Sequence, residues 1–402
     1  MHIAILAPSD SSFIFNFLPD QDVNNLPTGY SGASFIGTVI SELLGQNHQV
    51  TAITTSLAIN NEYTVKVFSF GKFTWVVVPQ RPHSFRMNGN KIGYILDFFA
   101  YEQNQMTSFL RDINPDFIHA HWSYEFAGVA IKSGIPCLVT VHDNAFQVLR
   151  FFKNIYRFGR LLMSEHILRQ ARFASTVSPY MLPYTQKRCK SVKVIPNPVL
   201  IDSTASEIEA AVLIKSKTFN APRFVMINNG WDARKNGLCA LLAFKQVQQQ
   251  FPEATLHLFG DGSEANGLAN QDAVKLGLFN VIYHGSVAHN QLMYELKKAH
   301  ILIHPALEES FGVVLIEAMS CGVPVIGGLY SGAVPWVIND ERLLVDVTKP
   351  EQIESKIIEL LTDLEVYRQL STQAYTNVLT RFSSKSVVNS YLTYYNEILN
   401  AW

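Results

Sequence analysis

The sequence predicts an α/β protein with two domains, each a mostly parallel β-sheet covered by helices. The chain has 402 residues, more than one domain usually holds, and its 48% hydrophobic content can fill two cores. Short apolar runs alternate with stretches of helical periodicity along the whole chain, which is typical of βαβ units. A Pro-Asn-Pro break at 196–198 separates two such series and marks the predicted crossing between the domains.

Composition argues against several classes of protein. The formal net charge of −1 disfavours general nucleic-acid binding. No apolar run reaches about 18 residues, so no membrane-spanning segment is predicted, and the N-terminus lacks the basic leader of a signal peptide. The four cysteines form no C-x-x-C pair and are expected to be buried in a reducing compartment. We therefore expect a cytoplasmic protein.

The first domain opens with a mononucleotide-type βαβ unit. Strands are predicted at 2–7 and 48–54, with a helix at 35–44 between them. The loop before the helix, 29–33, reads GYSGA and contains Gly32. Such a loop is a weak signal alone, since any turn that needs a positive φ favours glycine.

Three histidines are predicted near the ends of the strands that follow. His119 and His121 lie at the end of a strand at 117–120, and His142 directly follows a strand at 137–141. Ligands of open α/β sheets bind outside the carboxyl ends of the strands, so these side chains are site candidates. A zinc site is an alternative that we do not favour, because no further ligands follow at a familiar spacing. Other elements predicted here are strand-like runs at 65–70 and 73–78, a helix at 95–110 and a strand at 173–177.

The segment 146–163 has an unusual composition. It contains five aromatic residues and four basic ones, Arg150, Lys153, Arg157 and Arg160, and it has no acidic residue. Basic amphipathic helices of this kind can lie on anionic membranes, which gives one interpretation, a peripheral membrane contact. In the other, the aromatic side chains fill the core while the cations face water or an acceptor groove.

The second domain repeats the strand–helix pattern from about residue 223. The loop 229–237 carries Arg234 and Lys235, two cations suited to neutralising a diphosphate at a strand end, although a solvated basic turn would look similar. A Gly-Asp-Gly turn follows at 260–262. The predicted elements are strands at 224–228, 254–259, 280–284, 323–326 and 343–346, and helices at 238–249, 291–299, 313–319, 350–361 and 384–399.

The stretch 304–325, HPALEESFGVVLIEAMSCGVPV, predicts an anion site. A buried strand ends near Pro305, and a helix begins after Gly312, so the backbone N–H groups there meet a ligand at a helix N-terminus. Glu309 and Glu317 flank this point, eight residues apart. Carboxylates accept hydrogen bonds from sugar hydroxyls, so the combination suits a nucleotide-sugar. A βαβ turn with two solvated acids is the plainer alternative.

This stretch resembles the E-x7-E region of the family-4 retaining glycosyltransferases of the GT-B fold, with Glu309 and Glu317 in the two glutamate places. The segment V-I-P-N-P at 194–198 and the strand L-L-V-D at 343–346 are also similar to that family. The resemblance implies two Rossmann-like domains that face across a cleft, with the last helix crossing back to the first domain. The implied acceptor domain is 1–197 plus 384–402, and the implied donor domain is 198–383.

The resemblance also implies roles for single residues. His142 would position a sugar hydroxyl or the acceptor, Glu309 would hold the transferred sugar, and Glu317 would hold the ribose. In the family a Gly-Arg pair opens the 229–237 loop and a lysine closes it; here Trp231 stands in the arginine place, so Lys235 carries over and Arg234 is the expected substitute. The remaining implied donor-binding residues are Gly32, Gly230, Gly260, Ser310, Phe311, Gly312 and Val313.

The predicted activity is transfer of a hexose, with retention, from a UDP- or GDP-sugar to a saccharide acceptor in glycan or surface-polysaccharide synthesis. The nucleotide-sugar is a substrate, and no cofactor or metal is expected, since Arg234, Lys235 and the N–H groups at 311–313 would stabilise the leaving diphosphate without a divalent cation. A lipid-linked acceptor would place the enzyme at the inner face of the cytoplasmic membrane. Two alternatives are a non-catalytic nucleotide-sugar-binding protein and an NAD-dependent enzyme, although the G-x-G-x-x-G pattern of the latter is missing.

Overall fold

The protein folds into two compact units, each with its own β-sheet. The structure, a computed structural model, describes residues 1–21, 23–60 and 64–402. Unit 1 comprises Met1–Pro198 and Ser384–Trp402, and unit 2 comprises Val199–Ser383. Both are α/β units with mainly parallel sheets, as the sequence predicts.

The sheet of unit 1 has eight strands among the described residues, in the order β3-β4-β2-β1-β5-β6-β7-β8. All neighbours are parallel except the edge hairpin of β3 and β4. The central strand β1 is buried from Ile3 to Leu6, because helices cover both faces of a parallel sheet. The strands are β1 His2–Leu6, β2 Gln49–Ser56, β3 Lys66–Phe70, β4 Phe73–Pro79, β5 Phe117–His121, β6 Cys137–Val141, β7 Phe173–Thr176 and β8 Ser191–Val194.

One helix of unit 1 starts later than its apolar periodicity suggests. The prediction of a helix at 95–110 is wrong at its start, because Phe98 and Phe99 have positive φ values of 50° and 61°. Arg81 holds the preceding turn through Asp97, at 2.7 Å, so the helix begins only at residue 100. The helices are α1 Ser11–Ile14, α2 Phe35–Gly45, α3 Ala100–Ile113, α4 Glu125–Lys132, α5 Ala145–Phe151, α6 Ile155–Gln170 and α7 Leu182–Gln186.

The basic aromatic segment 146–163 forms parts of two helices, α5 and α6, instead of one continuous helix. Asn154 interrupts it: its backbone is extended and its side chain accepts a hydrogen bond from the N–H of Arg157, which caps α6. Several of its apolar side chains remain exposed, so the interpretation in which all the aromatic residues fill the core is wrong for part of the segment.

The sheet of unit 2 has six strands among the described residues, in the order β11-β10-β9-β12-β13-β14, all parallel. From β9 the chain builds outward to β11, then crosses to the other side of β9 for β12. The strands are β9 Arg223–Ile227, β10 Thr255–Phe259, β11 Val281–Gly285, β12 Ile301–His304, β13 Val325–Gly328 and β14 Leu344–Val345.

Unit 2 contains helices that the apolar periodicity does not predict. The first, α8, has a capping box in which Thr204 and Glu207 bond to each other's backbone N–H groups, a signal that the sequence T-x-x-E offers. The helices are α8 Ala205–Ser216, α9 Gly237–Gln250, α10 Leu268–Lys275, α11 His289–Lys298, α12 Val313–Ser320, α13 Val334–Ile338, α14 Pro350–Thr362 and α15 Leu364–Arg381.

The last helix, α16 (Ser384–Ala401), belongs to unit 1, so the chain returns to its first unit as predicted. It packs along α2, where the Ser384 hydroxyl donates to Glu42 at 2.8 Å. Its buried face includes Tyr391 and Tyr395.

Two further predictions concern burial and membrane spans. All four cysteines are unpaired and buried, as the sequence predicts. Among the described residues, none of the helices combines the length and the apolar character that a membrane crossing requires.

Candidate functional site

Two loops of unit 2 meet at the carboxyl edge of its sheet, at the point where the strand order reverses. β9 lies between β10 and β12, so the loop after β9 leads to one side of the sheet and the loop after β12 to the other. In open α/β sheets this switch point is where ligands bind. The predicted residues Arg234 and Lys235 are in the first loop, and Glu309 to Gly312 are in the second.

Hydrogen bonds to backbone oxygens hold these two loops together. Asn236, with a left-handed φ of 52°, donates its side-chain amide to Pro305 O at 3.1 Å and to Val347 O at 2.8 Å. Leu307 N donates to Arg234 O at 2.8 Å. The loop 229–237, which carries Arg234 and Lys235 and which we name the cation loop, is therefore held in position by main-chain carbonyls.

Lys235 and Glu309 form an ion pair inside the site. Lys235 Nζ contacts Glu309 Oε1, and the two side chains are only 9% and 13% exposed. Burial alone would raise the pKa of Glu309, but Lys235, His304 and Arg234 outweigh it and lower the pKa to about 2. Glu309 is thus a carboxylate at any physiological pH, ready to accept hydrogen bonds.

A second cation–carboxylate contact lies beside the first. Arg234 Nη1 is 3.6 Å from Glu308 Oε2 and 3.4 Å from the backbone oxygen of the same residue. The buried His304 lies 3.8 Å from Glu309 Oε1. Burial, together with the charges of Lys235 and Arg234, lowers the pKa of His304 to about 4 despite Glu309, so this imidazole is neutral at pH 7.

The helix α12 begins after Gly312, its N-cap residue, which has a left-handed φ of 85°. A Cβ there would come within 2.8 Å of Leu315 Cδ1, so glycine suits both the backbone and the space. Phe311 anchors the turn, with its ring 5.6 Å from that of Phe382. Ser310, Phe311 and Val313 thus surround a helix N-terminus with no acidic residue in its first turn, a suitable place for an anion.

Glu317, one turn inside α12, is paired with a histidine that the sequence does not single out. Its side chain is 5% exposed, and Oε1 lies 2.7 Å from His289 Nε2 at the start of α11. The hydrogen bond to Glu317 raises the pKa of His289. The only sequence signal for His289 is its place just after the loop that follows β11.

Gly260 marks a close approach of two loops. A Cβ at Gly260, where φ is 94°, would lie 2.0 Å from Asn228 O, so no other residue fits there without movement. Gly230 also has a positive φ of 102°. Trp231, which stands in the expected arginine place, donates Nε1–H to Asp272 at 3.0 Å and lies against Gly237 and Gly262. The tryptophan therefore packs within the scaffold.

The other predicted site residues, Gly32 and His142, are in unit 1. Gly32 has a positive φ of 103° in the loop after β1, and His142 follows β6. The order β2-β1-β5 also makes a switch point, between β1 and β5, where His121 ends its strand. His142 is buried, and its Nε2 lies 2.9 Å from His121 Nδ1.

The three histidines make hydrogen bonds to protein groups. His119 contacts Thr140 Oγ1 at 2.7 Å and the Tyr395 hydroxyl at 2.6 Å. Its ring lies 4.0 Å from that of His121, on the same side of the sheet, as strand alternation predicts. Within 1–21, 23–60 and 64–402, no group of three or more histidine, cysteine, aspartate or glutamate side chains is arranged to hold a metal ion.

Two family models match the chain. The model of glycosyltransferase family 4 matches residues 32–202, and the model described as glycosyl transferases group 1 matches residues 214–377. The first covers most of unit 1 and the second contains both loops of the candidate site.

Curated relatives are similar along most of the chain. N-acetyl-alpha-D-glucosaminyl L-malate synthase of Bacillus anthracis is 24% identical over 387 residues, 92% of this chain and 94% of its own length. 2-Deoxystreptamine N-acetyl-D-glucosaminyltransferase of Streptomyces fradiae is 25% identical over 303 residues, 69% of this chain and 70% of its own length. Both are named for sugar transfer or sugar conjugation. These similarities favour neither a non-catalytic nucleotide-sugar-binding protein nor an NAD-dependent enzyme.

Solved structures share the fold. A sucrose-phosphate synthase from Thermosynechococcus elongatus superposes with a TM-score of 0.73 at 18% identity, covering 100% of both chains. Anabaena HepE in complex with UDP and glucose superposes with a TM-score of 0.68 at 17% identity, covering 99% of this chain and 100% of its own. At sequence identities of 18% and 17%, these similarities show a shared fold, that is, a shared arrangement of helices and strands.

Proposed function

Since the chain belongs to glycosyltransferase family 4 and has the GT-B fold, we propose that it is a retaining hexosyltransferase that uses a UDP- or GDP-sugar. The acceptor is a saccharide hydroxyl in glycan or surface-polysaccharide synthesis. One observation carries the proposal: cations, carboxylates and a helix N-terminus converge at the switch point of unit 2. We assign the donor to residues 198–383 and the acceptor to 1–197 plus 384–402.

Sugar transfer requires that the negative charge developing on the leaving diphosphate be stabilised. Arg234 and Lys235 supply two positive charges, and the N–H groups from Ser310 to Val313 supply the positive end of the α12 dipole. Gly230 and Gly260 keep the backbone close to the ligand. These protein groups would stabilise the developing negative charge without a divalent cation, so we propose metal-independent transfer.

The two glutamates have separate roles in this proposal. Glu317, held by His289, accepts hydrogen bonds from the ribose hydroxyls. Glu309, kept ionised by Lys235, holds the transferred sugar near its reacting carbon. In unit 1, His142 positions a sugar hydroxyl or the acceptor. Gly32 leaves room for the donor phosphates, since no described residue other than its two chain neighbours has an atom within 4 Å of the place of its missing Cβ.

Transfer with retention follows a front-face path. The bond from the anomeric carbon to the diphosphate oxygen breaks, the acceptor oxygen bonds to that carbon on the same face, and the acceptor proton goes to the leaving phosphate. A covalent glycosyl–enzyme adduct trapped on Glu309 would contradict this path and support double displacement.

Calorimetry and thermal shift with UDP, GDP, ADP and NAD test the donor site. A ligand at about 100 times its dissociation constant stabilises a protein by about 2.7 kcal/mol, which is easily measured. We expect one of the first two to bind the wild type and to bind Glu317→Gln much more weakly. Glu253→Gln is the matched control, since Glu253 is exposed at the opposite edge of the sheet, before β10. Binding of NAD alone would refute the proposal.

The acceptor side offers an apolar surface on α5 and α6. Five large side chains, 37–72% exposed, form what we name the α5–α6 apolar face: Phe146, Phe151, Ile155, Phe158 and Leu162. Arg150 and Lys153 are exposed in the same segment, which has no acidic residue. Exposed aromatics with cations complement an anionic lipid surface. We propose that this face contacts the membrane.

The helix α6 also reaches the loops after β5 and β6, where we expect the acceptor to bind. Arg160 of α6 pairs with Glu125 at 2.5 Å and lies 3.6 Å from the ring centre of Tyr124. Tyr124 in turn donates to Asp143, next to His142, at 3.0 Å. A helix that rests on lipid with one side and orders the acceptor loops with the other suits a lipid-linked acceptor at the inner face of the cytoplasmic membrane.

Vesicle sedimentation tests this contact. We expect the wild type to bind vesicles that contain anionic lipid, to bind neutral vesicles weakly, and to be released partly by high salt. The double variant Ile155→Ser/Phe158→Ser should lose this binding. Ile214→Ser, which changes an equally exposed apolar residue of unit 2, should keep it. Equal binding by all three proteins would refute the contact.

A further inference from the structure

His121 is a buried histidine for which the proposed reaction has no role so far. It is fully buried at the end of β5, and its Nδ1 lies 2.9 Å from Nε2 of His142. Its other nitrogen, Nε2, is buried and has no hydrogen-bond partner among the described residues. One nitrogen of His121 is thus committed to His142, and the other is enclosed without a hydrogen-bond partner among the described residues.

These contacts decide which nitrogen of each ring carries the proton. A neutral imidazole has one N–H donor and one acceptor. If His142 donated to His121, the proton of His121 would sit on its unpartnered, buried Nε2. A buried N–H without an acceptor is less tolerable than a buried lone pair. The favoured arrangement therefore has His121 donating from Nδ1 to Nε2 of His142.

We infer that His121 is a positioning residue, which holds His142 in the tautomer with its proton on Nδ1. His142 then presents an N–H donor to the ligand, so it can hydrogen-bond only an acceptor atom such as a sugar hydroxyl oxygen. This inference rests on the proposed function for the identity of that ligand. The arrangement of the two rings does not depend on it.

The surroundings of His142 support this role. Its ring lies 4.3 Å from that of Trp122 and 5.1 Å from that of Phe35, so both position and tilt are restricted. Trp122 holds its place with a positive φ of 65°, an uncommon conformation for an aromatic residue and one associated with functional sites. Nδ1 of His142 makes no hydrogen bond to a described residue. It is also not one of the buried side-chain nitrogen and oxygen atoms that lack a partner, so this side of the ring is the one that a ligand can reach.

The electrostatics keep both rings neutral, as a tautomer role requires. Burial, and then the neighbouring His121, lower the pKa of His142 well below its ordinary value. Burial lowers the pKa of His121 to about 3. His119 packs 4.0 Å from His121 and is itself fixed by Tyr395 and Thr140, so His121 has a rigid support.

The test reads the tautomer directly. The full-length protein is labelled with 15N-histidine, and two-bond 1H–15N correlation spectra are recorded without ligand; His142→Gln assigns the signals of His142. We expect His142 to be protonated at Nδ1 in the wild type. His121→Asn can still place an N–H donor near the Nδ1 position and should preserve this pattern, whereas His121→Phe should allow the other tautomer.

Activity adds a second readout. With a donor found by the binding panel, we expect kcat/KM to fall about tenfold or more in His121→Phe and to stay within about threefold of the wild type in His121→Asn. A merely structural role would lower both variants alike and leave the tautomer unchanged.

A wild-type spectrum with His142 protonated at Nε2 would overturn the inference, and this outcome does not depend on any variant of His121. An unchanged tautomer in a folded His121→Phe variant would also overturn it. Absence of transfer by the wild type would count against the proposed function alone, because the spectra decide the tautomer without any reaction.

Discussion

Removing the cation of the buried Lys235–Glu309 pair should destabilise unit 2 by about 3 kcal/mol at pH 7. The pKa of Glu309 falls from its ordinary 4.5 to about 2 in the folded protein. A tenfold change in proton affinity corresponds to about 1.4 kcal/mol, so this difference amounts to about 3 kcal/mol of stability. It is the net effect of burial, which raises the pKa, and of Lys235, His304 and Arg234, which lower it, with Lys235 contributing most among the three. Lys235→Met keeps most of the side-chain volume and leaves the carboxylate buried without its main partner, a change that is typically costly.

A double-mutant cycle isolates the pair from other effects of the substitution. The free energy of unfolding is measured for the wild type, Lys235→Met, Glu309→Gln and the double variant, through native-state hydrogen exchange of amides in β9 and β12. We expect a coupling of about 3 kcal/mol. The control cycle uses Lys297 and Asp202, a pair in unit 2 whose side chains are 43% and 56% exposed, where less than 1 kcal/mol is expected.

The pH dependence of the wild type provides an independent check. Because the folded pKa of Glu309 is depressed, its contribution is fully present above about pH 4.5 and is lost as the pH falls toward 2. Lys235→Met should lose much of this acid sensitivity. A coupling below 1 kcal/mol, or the same acid sensitivity in both proteins, would refute the view that Lys235 holds Glu309 ionised.

Three further outcomes are expected. Gly312→Ala and Gly277→Ala both place alanine at a positive φ and should each lose about 1 kcal/mol, but only Gly312→Ala, whose Cβ meets Leu315, should weaken nucleotide binding in calorimetry. In an NMR titration, His289 should have a pKa above 6.5, so that its charged form contributes below 6.5 and the contribution fades as the pH rises through the raised value; Glu317→Gln should return the pKa toward 6.5. Tyr395→Phe leaves His119 Nδ1 without its buried partner and should lower the stability of unit 1 by about 1–3 kcal/mol in urea unfolding, whereas Tyr330→Phe, at an 80% exposed position, should have almost no effect.

The fold class was predictable because apolar strands and periodic helices are local patterns. The buried run at 2–7 and the helix at 35–44 can be read from the sequence without knowledge of their partners. The start of α3 could not, because it depends on Arg81 binding Asp97 across 16 residues. Periodicity also missed α8, which its capping residues stabilise at the N-terminus.

The candidate site was predictable as a set of loops but not as a set of contacts. Lys235 and Glu309 were expected to serve the diphosphate and the sugar separately, whereas the fold joins them in one ion pair across 74 residues. His289 was missed because a histidine at a helix start has no distinctive spacing, and only the tertiary fold brings it to Glu317. Trp231 was identified as a departure from the family pattern, but its packing against Gly237 and Gly262 is a matter of three-dimensional shape.

Asn236 separates the shape of the cation loop from its chemistry. Its amide donates to two backbone oxygens, which every amino acid carries, so these two contacts do not depend on the side chains at positions 305 and 347. Lys235, the residue before Asn236, is therefore held beside Glu309 by the backbone of two other segments. Replacing this one asparagine by alanine would thus loosen the loop that carries Lys235 without removing a charge from the site.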